Sequence, residues 1–229
     1  MIVAQVLPAL LRPAAHRIAT VAAAVSATAA TLLIAPAGLP TAAADPCPTV
    51  EVVFARGTSE APGIGRVGQA LVDNLQGQVG SVGVYAVNYP ATYDFLAAAD
   101  GAVDATNHIS AMAAQCPNTR IVLGGYSQGA AVIDMLVGIP PLGNKVGEVG
   151  SAPPLPGNLV GNVAAVAVFG NPSAKFSRPV TSGNLGGRSI DLCNDGDPIC
   201  SDGRNPFAHT SYESTPYPAQ AAGFIAGLV

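Results

Sequence analysis

Residues 125–129 read Gly125-Tyr126-Ser127-Gln128-Gly129, a G-x-S-x-G pattern with one serine between two residues that lack side chains. A chain with 26 glycines can supply that pattern by accident, so its setting decides its meaning. Ile121-Val122-Leu123 runs into it as a short apolar strand, and residues 130–137 leave it as an apolar helix. Strand, turn and helix in that order are the context in which such a serine acts as a nucleophile. The glycines let strand and helix approach closely. The turn holds the hydroxyl out over the sheet edge, above a helix N-terminus that favours developing negative charge.

A serine hydroxyl is a poor nucleophile without a base. Beyond residue 44 the chain offers His108 and His209. His108 falls in the helical stretch 94–115, upstream of the serine, and reads as a surface or packing residue. His209 lies in Asn205-Pro206-Phe207-Ala208-His209-Thr210, a predicted loop between the last strand and the last helix, from which an imidazole can reach over the sheet edge. It is the candidate base. The base in turn needs an orienting carboxylate. Cys193-Asn194-Asp195-Gly196-Asp197-Pro198-Ile199-Cys200 carries two, and spacing alone does not choose between Asp195 and Asp197. The order Ser, Asp, His along the chain is that of the α/β-hydrolases. Donors for an oxyanion are expected from the backbone N–H of Gln128 and from the turn Phe54-Ala55-Arg56-Gly57-Thr58-Ser59-Glu60, where Thr58 or Ser59 can add a hydroxyl.

These residues need a scaffold that brings several turns to one edge. Val50–Phe54, residues 82–87, 121–123, 163–169 and 189–192 read as five strands. Between them, Ile64, Val67, Leu71, Leu75 and Val79 fall at helical spacing, and residues 94–115, bent or interrupted near Gly101, and 130–137 read as further helices. Residues 218–228 close the chain as a helix with Pro218 in its first turn. Strands alternating with helices predict a three-layer α/β sandwich around a mainly parallel five-stranded sheet. In such sheets sites form beyond the carboxyl ends of the strands, where the turns after residues 54, 123 and 192 lie. The Pro- and Gly-rich residues 138–161 read as a surface excursion.

Composition narrows the class. The chain is 49% hydrophobic and 10% charged, enough apolar material for one domain's core and the opposite of a disordered balance. Ten basic residues against 14 acidic ones, with no basic cluster, exclude a nucleic-acid partner. Arg12, His16 and Arg17 precede a low-charge stretch over residues 18–39 and then Thr41-Ala42-Ala43-Ala44, the order of a secretory signal. Cleavage is expected after Ala44, which leaves residues 45–229 as a secreted, extracellular catalytic domain without stable membrane insertion. A monomer is expected. Arg12 and Arg17 leave with the signal, so the remainder carries 8 basic against 14 acidic side chains. The four cysteines remain, and in an exported protein an even count implies disulfides. Of three possible pairings, Cys47–Cys116 with Cys193–Cys200 is favoured because the second closes a short, turn-rich loop. The first would tie down the mature N-terminus and, closing about 70 residues, contribute roughly 4 kcal/mol in the chain-entropy model. A C-x6-C spacing without a nearby histidine is no zinc site, and no metal or cofactor is called for.

Taken together these motifs resemble the cutinase family: the residue 54–60 turn, Gly124-Gly125-Tyr126-Ser127-Gln128-Gly129-Ala130, the Cys193…Asp197…Cys200 loop and His209. The resemblance covers essentially residues 47–229 and is strongest to actinobacterial cutinase-like members. It implies a small secreted α/β-hydrolase without a large lid, cleaving carboxylic esters through an acyl-enzyme. Residue by residue it implies Ser127 as nucleophile, Asp197 rather than Asp195 as the acid, His209 as base, and Thr58 and Gln128 as oxyanion donors. It implies the same two disulfides. Fungal members carry an apolar run before the histidine, whereas residues 201–207 here are mostly polar, with Asp202, Arg204 and a single large apolar residue, Phe207. Soluble short- to medium-chain esters are therefore the expected substrates, ahead of cutin or lipid. Two other readings fit the fold: a deacetylase of polysaccharide acetyl esters, and a non-catalytic secreted binding protein or antigen.

Overall fold

A computed structural model of the chain describes residues 47–142 and 150–229. The expected signal segment and part of the 138–161 excursion lie outside the described residues.

Among the described residues five strands and five α-helices follow one another: β1 (Val50–Ala55), α1 (Gly65–Gln76), β2 (Val82–Ala86), α2 (Ala98–Gln115), β3 (Arg120–Tyr126), α3 (Gln128–Leu136), β4 (Val163–Phe169), β5 (Ser189–Leu192), α4 (Pro206–His209) and α5 (Tyr217–Ala226). The strands form one sheet in the order β2-β1-β3-β4-β5, every pairing parallel. Strands buried on both faces read as continuous apolar runs. All seven residues of β4 are buried, as are all six of β1, including Glu51.

Period-two alternation divides each central strand between two cores. Val53, Leu123 and Val166 pack on one face with Ala105 and Ile109 of α2 and Ile133 of α3. Val52, Phe54 and Val122 pack on the other with Leu71 and Leu75 of α1 and Ile225 of α5. The molecule is the three-layer α/β sandwich that the strand–helix alternation predicts. Both disulfides form in the favoured pairing, Cys47–Cys116 and Cys193–Cys200. No helix among the described residues is long and apolar enough to cross a membrane.

Three local expectations are corrected. α2 is unbroken at Gly101, and the interruption comes earlier, as a 3₁₀ turn over Phe95–Ala97. Gly101 serves packing: a Cβ there would lie 3.1 Å from both Tyr89 and Val132. His209 is the last residue of a short helix rather than a loop residue. The described part of the 138–161 excursion is not all surface. Ile139, Leu142, Leu155 and Leu159 are buried, and the Leu155 N–H donates to the Leu136 carbonyl at 2.9 Å.

Candidate active site

β3 delivers the chain to the sheet edge and α3 carries it away, with Ser127 at the corner at φ 54° and ψ −117°. A serine in positive φ is a strained conformation costing on the order of 1–3 kcal/mol, held only where its surroundings over-determine it. Here they do. The Ser127 N–H donates to the Phe169 carbonyl at the end of β4, 3.0 Å away. The first turn of α3 presses so closely on β3 and β1 that a Cβ on Gly125 would lie 2.3 Å from the Gly129 carbonyl oxygen. One on Gly129 would lie 1.9 Å from that of Ala55. Both glycines of the pattern are thus required by backbone contact.

α4 brings His209 over this corner. Asn205 caps it, its side chain accepting from the Phe207 N–H at 3.1 Å, and Pro206 begins the helix. His209 Nε2 lies 2.8 Å from Ser127 Oγ, and Nδ1 lies 2.8 Å from Asp197 Oδ2. The carboxylate can only accept, so Nδ1 carries the proton and Nε2 is free to accept from the serine. Asp197 is fully buried, whereas Asp195 is exposed on the same disulfide-closed loop. Burial works to raise the Asp197 carboxyl. Hydrogen bonds from His209, from the Ile199 N–H at 2.7 Å and from the Tyr212 hydroxyl at 2.7 Å outweigh it and hold the group below the ordinary carboxylate value. His108 stands elsewhere, on α2, with Nε2 3.0 Å from Glu51 Oε2 and its ring stacked on Tyr85.

Three residues that sequence reasoning did not single out complete the setting of the imidazole. The Tyr126 ring stacks on it, centroids 5.2 Å apart, and the Tyr126 hydroxyl donates to the His209 carbonyl. The Tyr212 ring meets it edge-on at 6.2 Å. Gly170, at φ 56°, leaves room for it: a Cβ there would lie 2.9 Å from His209 Cε1. Tyr126 sat in view as a variable position of the G-x-S-x-G pattern. Gly170 follows a clear strand, and Tyr212 carries no local signal.

The turn after β1 faces Ser127 from the other side. Its conformation is set by Arg56, buried, which donates to the Glu60 carbonyl at 2.9 Å and to the Tyr89 carbonyl at 2.8 Å. Glu60 in turn accepts from the Gly57 N–H at 2.7 Å. This fixes Thr58, whose Oγ1 donates to Gln128 Oε1 at 3.2 Å. Thr58, Ser127 and Gln128 line one cleft of about 260 Å³, walled by Phe95, Ala131, Pro172, Phe176 and Ile199. It is apolar and lies just below the volume range usual for drug-sized ligands.

A parallel sheet with a strained serine after its third strand, a histidine from a late turn and a buried aspartate between them defines an α/β-hydrolase. The cutinase family model matches residues 46–229. Over 219 residues the chain is 51% identical to phospholipase Culp4 of Mycobacterium tuberculosis, covering 94% of this chain and 93% of that one. An acetylxylan esterase structure superposes with a TM-score of 0.68 at 27% identity, covering 80% of this chain and 99% of that one. A Trichoderma reesei cutinase bound to a phosphonate inhibitor gives 0.64 at 31%, covering 80% and 78%. The chain belongs to the cutinase family and is a serine esterase of the carboxylic ester hydrolase class.

Proposed function

We propose that this protein is exported, loses residues 1–44, and hydrolyses soluble short- to medium-chain carboxylic esters through Ser127, His209 and Asp197. The observation that carries the reading is the continuous relay of two 2.8 Å contacts from Ser127 Oγ through the imidazole to a buried carboxylate. His209 takes the Ser127 proton as Oγ attacks the ester carbonyl. The oxyanion that forms is met by Thr58 and the Gln128 N–H. The alcohol leaves with the proton from His209, and water, activated by the same base, releases the acid from the acyl-enzyme. Asp197 keeps the imidazole in the required tautomer and stabilises its cation. The small apolar cleft and the polar residues before His209 support short acyl chains.

The test is hydrolysis of p-nitrophenyl esters from acetate to palmitate by the wild type and Ser127→Ala. Turnover falling beyond medium chain lengths, and lost in the variant, is the expected result. No turnover at any length would overturn the reading in favour of a binding protein. The likeness to an acetylxylan esterase favours a second reading, deacetylation of polysaccharide acetyl esters, which turnover of acetate alone would select. N-terminal sequencing of the exported protein checks the cleavage site.

A further inference from the structure

We propose that Lys175 is a specificity-determining residue, and that the preferred esters carry an anionic group, a phosphate diester or a carboxylate, at their non-reacting end. The inference rests on ester hydrolysis at Ser127 and names what that site selects.

Lys175 lies on a 3₁₀ turn over Ala174–Phe176, beyond β4, in the wall of the cleft that contains Ser127. Among the described residues it is the one charged residue of that lining; the others are apolar or, like Thr58 and Gln128, neutral. Its Nζ reaches across to the Pro198 carbonyl at 2.9 Å, one residue from Asp197. A carbonyl takes one of the three ammonium protons and, among the described residues, leaves two without a protein acceptor. Among the described residues no carboxylate lies within ion-pair distance of Nζ. The chain as a whole has a formal net charge of −4, so an uncompensated cation at this place is not the by-product of a basic surface.

An exposed cation beside the otherwise neutral, mainly apolar lining of the cleft suits a substrate that is apolar near the scissile bond and anionic further out. Glycerophospholipids have that pattern, as do half-esters of dicarboxylic acids. The contending role is mechanical, a latch tying the Ala174–Phe176 turn to the loop that carries Asp197 and Pro198. A latch serves neutral and anionic substrates alike, and charge recognition does not.

The test compares matched pairs: p-nitrophenyl butyrate against mono-p-nitrophenyl glutarate, and dihexanoylglycerol against dihexanoylphosphatidylglycerol. For wild type, Lys175→Arg, Lys175→Met and Lys175→Glu, the quantity read is the anionic-to-neutral ratio of kcat/KM. We expect the wild type to favour the anionic member of at least one pair and Lys175→Met to lower that ratio roughly five- to twentyfold, mainly through KM. Lys175→Glu should invert it, Lys175→Arg should keep it, and high salt should shrink it in the wild type. The pair that responds identifies carboxylate or phosphate as the group read. A wild type without anionic preference, or equal losses on both members, overturns the inference. Absence of turnover on p-nitrophenyl butyrate would instead overturn the reading of Ser127, so the two failures are distinct.

Discussion

The Tyr212 hydroxyl and His209 Nδ1 converge on the same carboxylate oxygen, Asp197 Oδ2, at 2.7 and 2.8 Å. Tyr212 is itself fully buried and accepts from the Asn194 N–H at 2.8 Å, so its hydroxyl is oriented before it meets the aspartate. A carboxylate removed from water stays ionised only if donors replace the water, and Tyr212 is one of three.

Tyr212→Phe removes that donor without changing the ring that packs edge-on against His209. The folded-state Asp197 carboxyl, held below its usual value of 3.8, should rise. An acid depressed by folding contributes stability that is present above its unfolded pKa and lost as pH falls through its folded pKa. The variant should therefore lose stability at higher pH than the wild type on acidification, and be about 1–2 kcal/mol less stable near neutrality. Thermal melting from pH 3 to 7 reads both. Coincident wild-type and variant profiles would remove Tyr212 from the support of Asp197.

Two glycine substitutions should behave oppositely. Gly129→Ala sets a methyl 1.9 Å from a backbone oxygen of β1, which cannot rotate away, and should prevent stable folding or cost several kcal/mol. Gly223, exposed on α5, has nothing within 4 Å of its added Cβ. Gly223→Ala should stabilise by about 0.5–1 kcal/mol through helix propensity, raising Tm by about 1–4 °C. Melting of the two proteins is the measurement.

The pattern of what could be read beforehand follows the range of each interaction. Ser127 announces itself locally, because strand, glycine corner and helix are contiguous. His209 and the Cys193–Cys200 loop were legible as scarce residue types in the right chain order. Asp195 and Asp197 are equivalent in sequence and differ in burial, a property of the folded loop, so choosing between them took the family resemblance. Tyr212 and Gly170 act through contacts made only when β4, β5 and α4 assemble. Gly101 shows the same limit in the fold: a mid-helix glycine suggests a break, and only the approach of Tyr89 and Val132 reveals it as a contact.

Asn171 Nδ2 donates to a buried carboxylate, Asp134 Oδ1 at 3.1 Å, and to a half-buried one, Asp191 Oδ2 at 2.9 Å. Burial, with Asp191 adding to it and hydrogen bonds from Ser173 and Asn171 opposing it, pushes Asp134 up to about 8. Here the sign is opposite to that of Asp197. Between pH 4 and 8 the folded state holds a proton that the unfolded state has released, so this group makes stability fall as pH rises through that window. Asp134→Asn, which keeps an oxygen for Asn171, should flatten that fall and be relatively more stable at pH 8 than at pH 5. Melting at the two pH values decides it, and parallel losses at both would show that Asp134 ionises without cost.

Thr58 and Gln128 make distinguishable predictions for the oxyanion. At rest the Thr58 hydroxyl donates to Gln128 Oε1, while Gln128 Nε2, buried, has no partner among the described residues. If Thr58 turns its hydroxyl to the developing charge, Thr58→Val should lower kcat about 100-fold with KM little changed, the loss of roughly 3 kcal/mol that follows removal of one such donor. Gln128 supplies a backbone N–H, which Gln128→Ala keeps. That variant removes only the resting acceptor of the Thr58 hydroxyl and should cost no more than about tenfold, because the hydroxyl is then oriented by the substrate alone. Steady-state kinetics on p-nitrophenyl butyrate separate the two. A larger loss in Gln128→Ala than in Thr58→Val would mean that the Gln128 side chain, rather than the Thr58 hydroxyl, meets the oxyanion.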